Sequence, residues 1–148
     1  MKRRSTVVLG FVLAILAGGR ARAADTGDDK EKLQGKWKSY SFEATRLPKN
    51  SKLITLEFKD DLVIATIGEE HAKYQLELNL DERPKQIDLI PLSGKVPSPE
   101  MVDRGLYSLD GDELTIALGG QQRPDKLQLR NQPGDSLIKL KRISRRPR

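Results

Sequence analysis

Residues 74–80 read Tyr-Gln-Leu-Glu-Leu-Asn-Leu, an alternation of apolar and polar side chains. Side chains of a β-strand point to opposite faces in turn, so this period of two predicts a half-buried antiparallel strand. Ile54, Leu56 and Phe58 alternate in the same way, and Leu62–Ile67 follows as a nearly continuous apolar strand. The centre of the chain is therefore predicted to be a β-sheet with one face in the core.

Similar segments recur about every 8–12 residues, with turn residues between them. The remaining strands are predicted over Lys36–Glu43, Lys85–Ile90, Leu106–Leu109, Leu114–Leu118, Lys126–Arg130 and Ser136–Lys141. Asp110-Gly111-Asp112-Glu113 is a strong hairpin signal. Closure removes exposed sheet edges, so we predict an all-β fold, an antiparallel up-and-down barrel of about eight strands.

The composition excludes several classes of protein. The 148 residues suffice for one domain, and the absence of cysteine excludes disulfide frameworks, thiolate metal sites and thiol nucleophiles. The single histidine, His71, leaves little for imidazole-based catalysis. Glu69-Glu70-His71 are adjacent, so they point to opposite faces of a strand, and Asp110–Glu113 lacks the later ligands of a calcium loop. We expect no metal and no cofactor.

The first 23 residues have the three parts of a secretory signal peptide. Basic residues 2–4 precede the apolar run Thr6–Gly19, and residues 21–23 read Ala-Arg-Ala, as at a cleavage site. The apolar run is shorter than the about 20 residues that a membrane span needs. We expect cleavage after Ala23 and a periplasmic or extracellular protein with no stable membrane span; an uncleaved anchor is the alternative.

The net charge of +6 arises at the two ends of the chain. Residues 1–23 contain five cations and no acid, and Lys139–Arg148 contains six more cations, so the body between them is mildly acidic. We therefore expect no nucleic-acid partner. Residues 24–32 are predicted to be a flexible polar leader, with a short helical turn into Leu33 as the alternative. Residues 143–148 are a basic tail, which either contacts an anionic envelope surface or stays solvated.

Two short motifs, one near each end of the predicted domain, carry a resemblance to a known family. Leu33–Trp37 reads Leu-Gln-Gly-Lys-Trp, a G-x-W at the start of the first strand, and Leu140-Lys141-Arg142 ends the last. The chain resembles the calycins, which include the lipocalins and fatty-acid-binding proteins. The resemblance implies that Gly35 and Trp37 close one end of the barrel and that Arg142 packs across the indole.

A second resemblance spans residues 33–142, the predicted barrel domain. Six motifs occur in order, at Leu33–Trp37, Leu47-Pro48, Pro84–Leu89, Gly105–Leu114, Arg123-Pro124 and Leu140–Arg142. They are similar to a family of small exported domains of unknown function that is expanded in planctomycete bacteria. Ala117 stands where we expect a cysteine in many relatives, so no thiol-dependent role is implied. The resemblance implies a lipocalin-like barrel and brings no catalytic residue.

Six apolar positions are predicted to point into the barrel and are the candidate ligand-binding residues. They are Ile54, Leu56, Phe58, Tyr74, Leu76 and Leu78. A barrel of about eight strands either encloses one small ligand or is filled by its own side chains, and the sequence leaves both open.

The leading hypothesis is an exported, non-enzymatic binding module that holds a small apolar or amphipathic molecule. The alternative is a structural or interaction protein of the envelope, with a solid core and a basic tail on an anionic surface. A third hypothesis, an enzyme, requires two carboxyl groups about 5–10 Å apart in a cleft. Asp60-Asp61, Asp81-Glu82 and the Asp110/Asp112 pair are all predicted to lie in turns instead.

Overall fold

The structure is a computed structural model that describes residues 25–45, 47–92 and 101–146. One helix, α1 (Asp25–Leu33), precedes eight strands. The strands are β1 (Gly35–Ala44), β2 (Ile54–Lys59), β3 (Leu62–Ile67), β4 (Glu70–Asn79), β5 (Lys85–Pro91), β6 (Asp103–Asp110), β7 (Glu113–Leu118) and β8 (Ser136–Ser144). The predicted signal peptide, residues 1–23, and the irregular stretch Ser93–Glu100 lie outside the described residues.

Each strand pairs antiparallel with the next, and β1 also pairs with β8, so the sheet closes into an up-and-down barrel. The predicted fold class is confirmed. A bulge in β1 between Ser39 and Ser41 shifts its register against β8. The bulge lets Trp37 and Phe42 both pack in the interior although they have opposite parity in the sequence.

The core lies inside the barrel and consists of the inward-facing side chains of the strands. Its buried members include Trp37, Phe58, Val63, Ile87, Tyr107, Leu114, Ile116 and Leu140. Burying each large side chain of this kind contributes roughly 1.5–3 kcal/mol of transfer free energy, so the core is the main stabilising feature.

The barrel has two distinct ends, which we call the base and the mouth. The base contains α1 and the β2–β3, β4–β5 and β6–β7 connections, and the mouth contains the β1–β2, β3–β4, β5–β6 and β7–β8 connections. No helix in the described part of the chain is long and apolar enough to cross a membrane.

Three segments differ from the prediction. Lys126–Arg130 is not a strand, because β8 already pairs with β7 and β1 and the closed sheet offers no free edge. The polar leader follows its helical alternative and extends it to about two and a half turns: it folds into α1, which ends with the fully buried Leu33 and docks on the barrel. β8 continues to Ser144, so residues 143 and 144 of the predicted tail are strand residues.

Candidate ligand-binding regions at the base and the mouth

Trp37 and Arg142 lie together at the base. They are register partners on β1 and β8, and the guanidinium carbon lies 4.2 Å from the centroid of the indole ring. The indole is fully buried, and its Nε1 donates a hydrogen bond of 2.8 Å to the carbonyl of Leu33. A cation held over a buried ring contributes about 0.5–2 kcal/mol.

The Arg142 guanidinium also joins three separate elements. It donates to the carbonyl oxygens of Gln34, at 2.7 Å, and of Lys32, and its Nε donates at 2.9 Å to the carboxylate of Asp112. The last carbonyls of a helix have no partner within the helix, so this guanidinium satisfies them at the end of α1. Arg142 thereby connects α1, β8 and the β6–β7 turn.

Gly35 stands where β1 passes close to the end of β8. Its φ is +112°, and a Cβ there would lie 2.3 Å from the carbonyl oxygen of Ser144. The neighbouring Gln34 side chain accepts a hydrogen bond of 2.7 Å from the amide of Asp60, in the β2–β3 turn. The structure thus brings the predicted closure residues Gly35, Trp37 and Arg142 to one end of the barrel.

A buried polar network fastens α1 to the barrel wall. Asp29 of α1 is 4% exposed, and it accepts hydrogen bonds from Lys85 Nζ at 2.8 Å and from the Tyr107 hydroxyl at 2.7 Å. Burial opposes ionisation of Asp29, but these two donors hold the pKa of its carboxyl below the ordinary value. Burial and the adjacent carboxylate raise the pKa of Tyr107. The network therefore contains an ionised acid and a neutral phenol.

The six predicted lining residues all belong to the interior. Ile54, Leu56, Phe58 and Leu76 are buried in the core cluster, whereas Tyr74 and Leu78 are partly buried and pack against it.

Two of these residues also line an apolar crevice at the base. It has a volume of about 230 Å³ and lies between Leu76, Leu78 and Leu80 of the β4 region and Lys30 and Asp61. Lys30 and Asp61 form an ion pair of 2.5 Å. Because the side chains of Lys30 and Asp61 are 46% and 65% exposed, this pair is the polar edge of an otherwise leucine-lined opening.

The mouth carries most of the exposed large apolar side chains of the described residues. Five lie on its connections: Leu47, Leu53, Leu92, Met101 and Leu129. The other two, Tyr40 and Ile143, lie on strands. We call the five residues the apolar rim.

Inside the mouth, β6 begins with an acidic residue. Asp103 shares the inward face of β6 with Tyr107, and it is the register partner of Leu89, a buried core residue. Burial raises the pKa of the Asp103 carboxyl. The pKa of the Tyr74 hydroxyl is also raised, first by burial and then by the charge of Asp103.

A polar cleft of about 740 Å³ lies at the base, opposite the mouth. Its lining includes the cations Lys32, Lys85, Arg142, Arg145 and Arg146 and the acids Asp29, Glu31 and Asp110. Arg145 is the most exposed of the paired arginines, with its guanidinium 3.6 Å from Asp112, and Arg146 pairs with Asp60 at 2.6 Å. The cleft is therefore a mixed surface with an excess of positive charge.

The acidic clusters considered from the sequence lie in turns or at strand ends. Asp60-Asp61 is in the β2–β3 turn and Asp81-Glu82 is in the β4–β5 connection. Glu70 and His71 are exposed at the start of β4, and His71 Nδ1 is 2.9 Å from the Thr66 hydroxyl. No group of three or more His, Cys, Asp or Glu side chains in the described ranges is arranged to hold a metal ion.

The sequence analysis missed Asp29 and Asp103. The sequence does contain a pattern that locates Asp103. The hairpin at Asp110-Gly111 fixes the register of β6. Counting back from Leu109 in steps of two then places Asp103 on the inward face. Asp29 carries no such signal, because its partners Lys85 and Tyr107 come from distant strands.

The comparisons with known proteins found no relative: no family model, no curated protein and no solved structure matches the chain. The barrel itself is established by its strand pairing. Membership of the calycins remains a prediction from the sequence motifs, and the chemistry of the base and the mouth is the basis for inferring a function.

Proposed function

We propose that the protein is an exported, lipocalin-like binding protein without catalytic activity, which holds a small apolar or amphipathic molecule in its barrel. The apolar rim is the observation that carries this proposal. Apolar side chains gathered at one end of a domain are unfavourable in water and are typical of ligand-entry and interaction surfaces. The mouth is therefore the proposed entrance.

The difference between the two ends supports this direction of entry. At the base, Trp37 is fully buried beneath α1 and Arg142 is held by hydrogen bonds to the carbonyls of Lys32 and Gln34. The mouth connections carry the apolar rim instead. The interior between them is mainly aliphatic, as in sites that bind apolar molecules.

Native mass spectrometry of the purified full chain, with and without added lipid extract, tests the proposal. We expect a mass increase that corresponds to one retained small molecule. A persistently bare mass after exposure to lipid extracts would contradict it.

A pair of neighbouring substitutions locates the molecule. Ala65 packs against the core, so Ala65→Trp adds a large ring on the inward face of β3. The hydroxyl of Thr66 contacts the exposed His71, so Thr66→Trp adds the same ring on the outward face. Uptake of the neutral fluorophore N-phenylnaphthylamine should be lost in the first variant and kept in the second. Equal uptake by both variants would place the bound molecule outside the barrel.

The second candidate function is contact with an anionic envelope surface. The excess positive charge of the base cleft and the exposed Arg145 and Arg146 favour it. Each basic residue near an anionic surface contributes about 1 kcal/mol of attraction. Because residues 143 and 144 belong to β8, the test is Arg145→Gln with Arg146→Gln rather than truncation. Loss of envelope co-fractionation supports this function, and unchanged fractionation contradicts it.

A further inference from the structure

We infer that Asp103, assisted by Tyr74, binds the head group of the carried molecule, and that this head group is a protonated amine. The inference rests on the proposed function, because it names the class of ligand that the same barrel takes. It adds a specific polar binding group to an interior that is otherwise mainly apolar.

The first argument is the position of Asp103 in the mouth. Asp103, Gly105 and Tyr107 share one face of β6, and Tyr107 is buried in the core, so the Asp103 carboxylate points inward. Its register partner Leu89 and the diagonal neighbour Pro91 lie on β5, between Asp103 on β6 and Tyr74 on β4. The acid and the phenol thus face the same space across one strand.

The second argument is that this carboxylate has no partner in the described chain. No hydrogen bond or ion pair joins the Asp103 carboxylate to another described residue. Its pKa is raised, and burial is the cause. Asp103 is partly buried, and partial loss of hydration without a protein partner costs free energy that natural proteins accept mainly at functional sites. A ligand that donates hydrogen bonds would remove this cost.

The third argument decides the charge of the ligand. The inward-facing cations of the described residues, Lys85 and Arg142, lie at the base and are already paired with Asp29 and Asp112. Among the described residues, no inward-facing cation therefore lies beside Asp103 at the mouth. A protonated amine supplies that charge, and the face of the Tyr74 ring favours a cation further. A fatty acid would instead place two carboxylates together.

Three probes with one tail test the inference: dodecylamine, dodecanol and dodecanoic acid, each below its micelle-forming concentration. Their affinities for the full chain are measured by isothermal titration calorimetry at neutral pH. A charge-assisted hydrogen bond contributes about 1.5–3 kcal/mol, so we expect dodecylamine to bind roughly ten- to hundredfold more tightly than dodecanol. Dodecanoic acid should bind more weakly than dodecanol.

The matched variants are Asp103→Asn and Asp110→Asn, which remove one acid from each end of β6. Asp103→Asn should abolish the preference for dodecylamine over dodecanol, whereas Asp110→Asn should preserve the wild-type order, since Asp110 is exposed at the base. Equal binding of all three probes to the wild-type chain, or an unchanged amine preference in Asp103→Asn, would overturn the inference and leave the carrier function standing. Binding of none of the probes would overturn both.

Discussion

Trp37 and Arg142, which lie near opposite ends of the described chain, are direct neighbours at the seam of the barrel, with 4.2 Å between the guanidinium carbon and the centroid of the indole ring. Their contact holds α1, β1 and β8 together and buries the indole at the base. In the carrier function proposed above, the ligand enters at the opposite end, where the apolar rim and Asp103 lie. The contact between Trp37 and Arg142 therefore distinguishes the base from the mouth.

Arg142→Ala should lower the free energy of unfolding by about 2–4 kcal/mol, because it removes the cation–π contact and the charged hydrogen bonds to the end of α1. Arg142→Lys should recover only part of this loss, since an ammonium cannot reproduce the guanidinium fork. Urea unfolding followed by the fluorescence of Trp37, the single tryptophan, measures both variants. Arg145→Ala is the control: its side chain is 76% exposed, so a loss comparable to that of Arg142→Ala would contradict the special role of Arg142.

Asp29→Asn should destabilise the protein at pH 7 by about 3 kcal/mol, because the substitution leaves Lys85 without its buried counter-ion. The pKa of Asp29 is lowered by folding, so its contribution is present above the ordinary value of 3.8 and is lost as the pH falls from there through the folded-state pKa. Unfolding measured between pH 2 and pH 7, which spans about the whole window, should show a shallower acid dependence in the variant. The exposed Asp61→Asn is the control, and an equally shallow curve there would remove the assignment to Asp29.

Asp103→Asn should stabilise the ligand-free protein at pH 7, by on the order of 1 kcal/mol, because it removes a partly buried charge that has no counter-ion among the described residues. Burial raises the pKa of Asp103, so the cost is absent below the ordinary value of 3.8 and develops as the pH rises through the folded-state pKa. Tyr74 is the titratable group coupled to this acid, and its own pKa is raised above 10.0, so it stays neutral throughout. Thermal unfolding of wild type and variant should therefore agree near pH 3 and separate towards pH 7, about the range in which the acid ionises. A variant that is less stable at pH 7 would show that Asp103 has a structural partner.

Gly35→Ala should lower the free energy of unfolding by about 3 kcal/mol, since an added Cβ collides with the backbone of Ser144 and the residue has a φ of +112°. Gly68→Ala is the matched control, because Gly68 also has a positive φ, +62°, but its Cβ would meet open space. That variant should lose only about 1 kcal/mol. Thermal unfolding compares the two variants. Equal losses of stability would mean that the close approach of Gly35 to β8 does not affect the free energy of unfolding.

The strands with clear alternation were predictable because their pattern is local. Leu62–Ile67 forms β3 with the predicted bounds, and Ile54, Leu56 and Phe58 share the interior face of β2. The predicted strand over Lys126–Arg130 was wrong. Its alternation is also local, but a strand needs a free sheet edge to pair with. Arg130 instead pairs with Asp135 at 2.9 Å within the β7–β8 connection.

The sequence by itself determined the β class, most of the turns and the inward face of regular strands such as β2, because these follow from the period of two and from turn chemistry within a few residues. Only the tertiary structure decided that polar residues 25–33 form a helix at the base, since that helix depends on Asp29 meeting Lys85 and Tyr107. It also decided that Asp103 is partly buried with no hydrogen-bond partner for its carboxylate in the described chain, because the surroundings of each carboxylate depend on what the closed barrel brings near it.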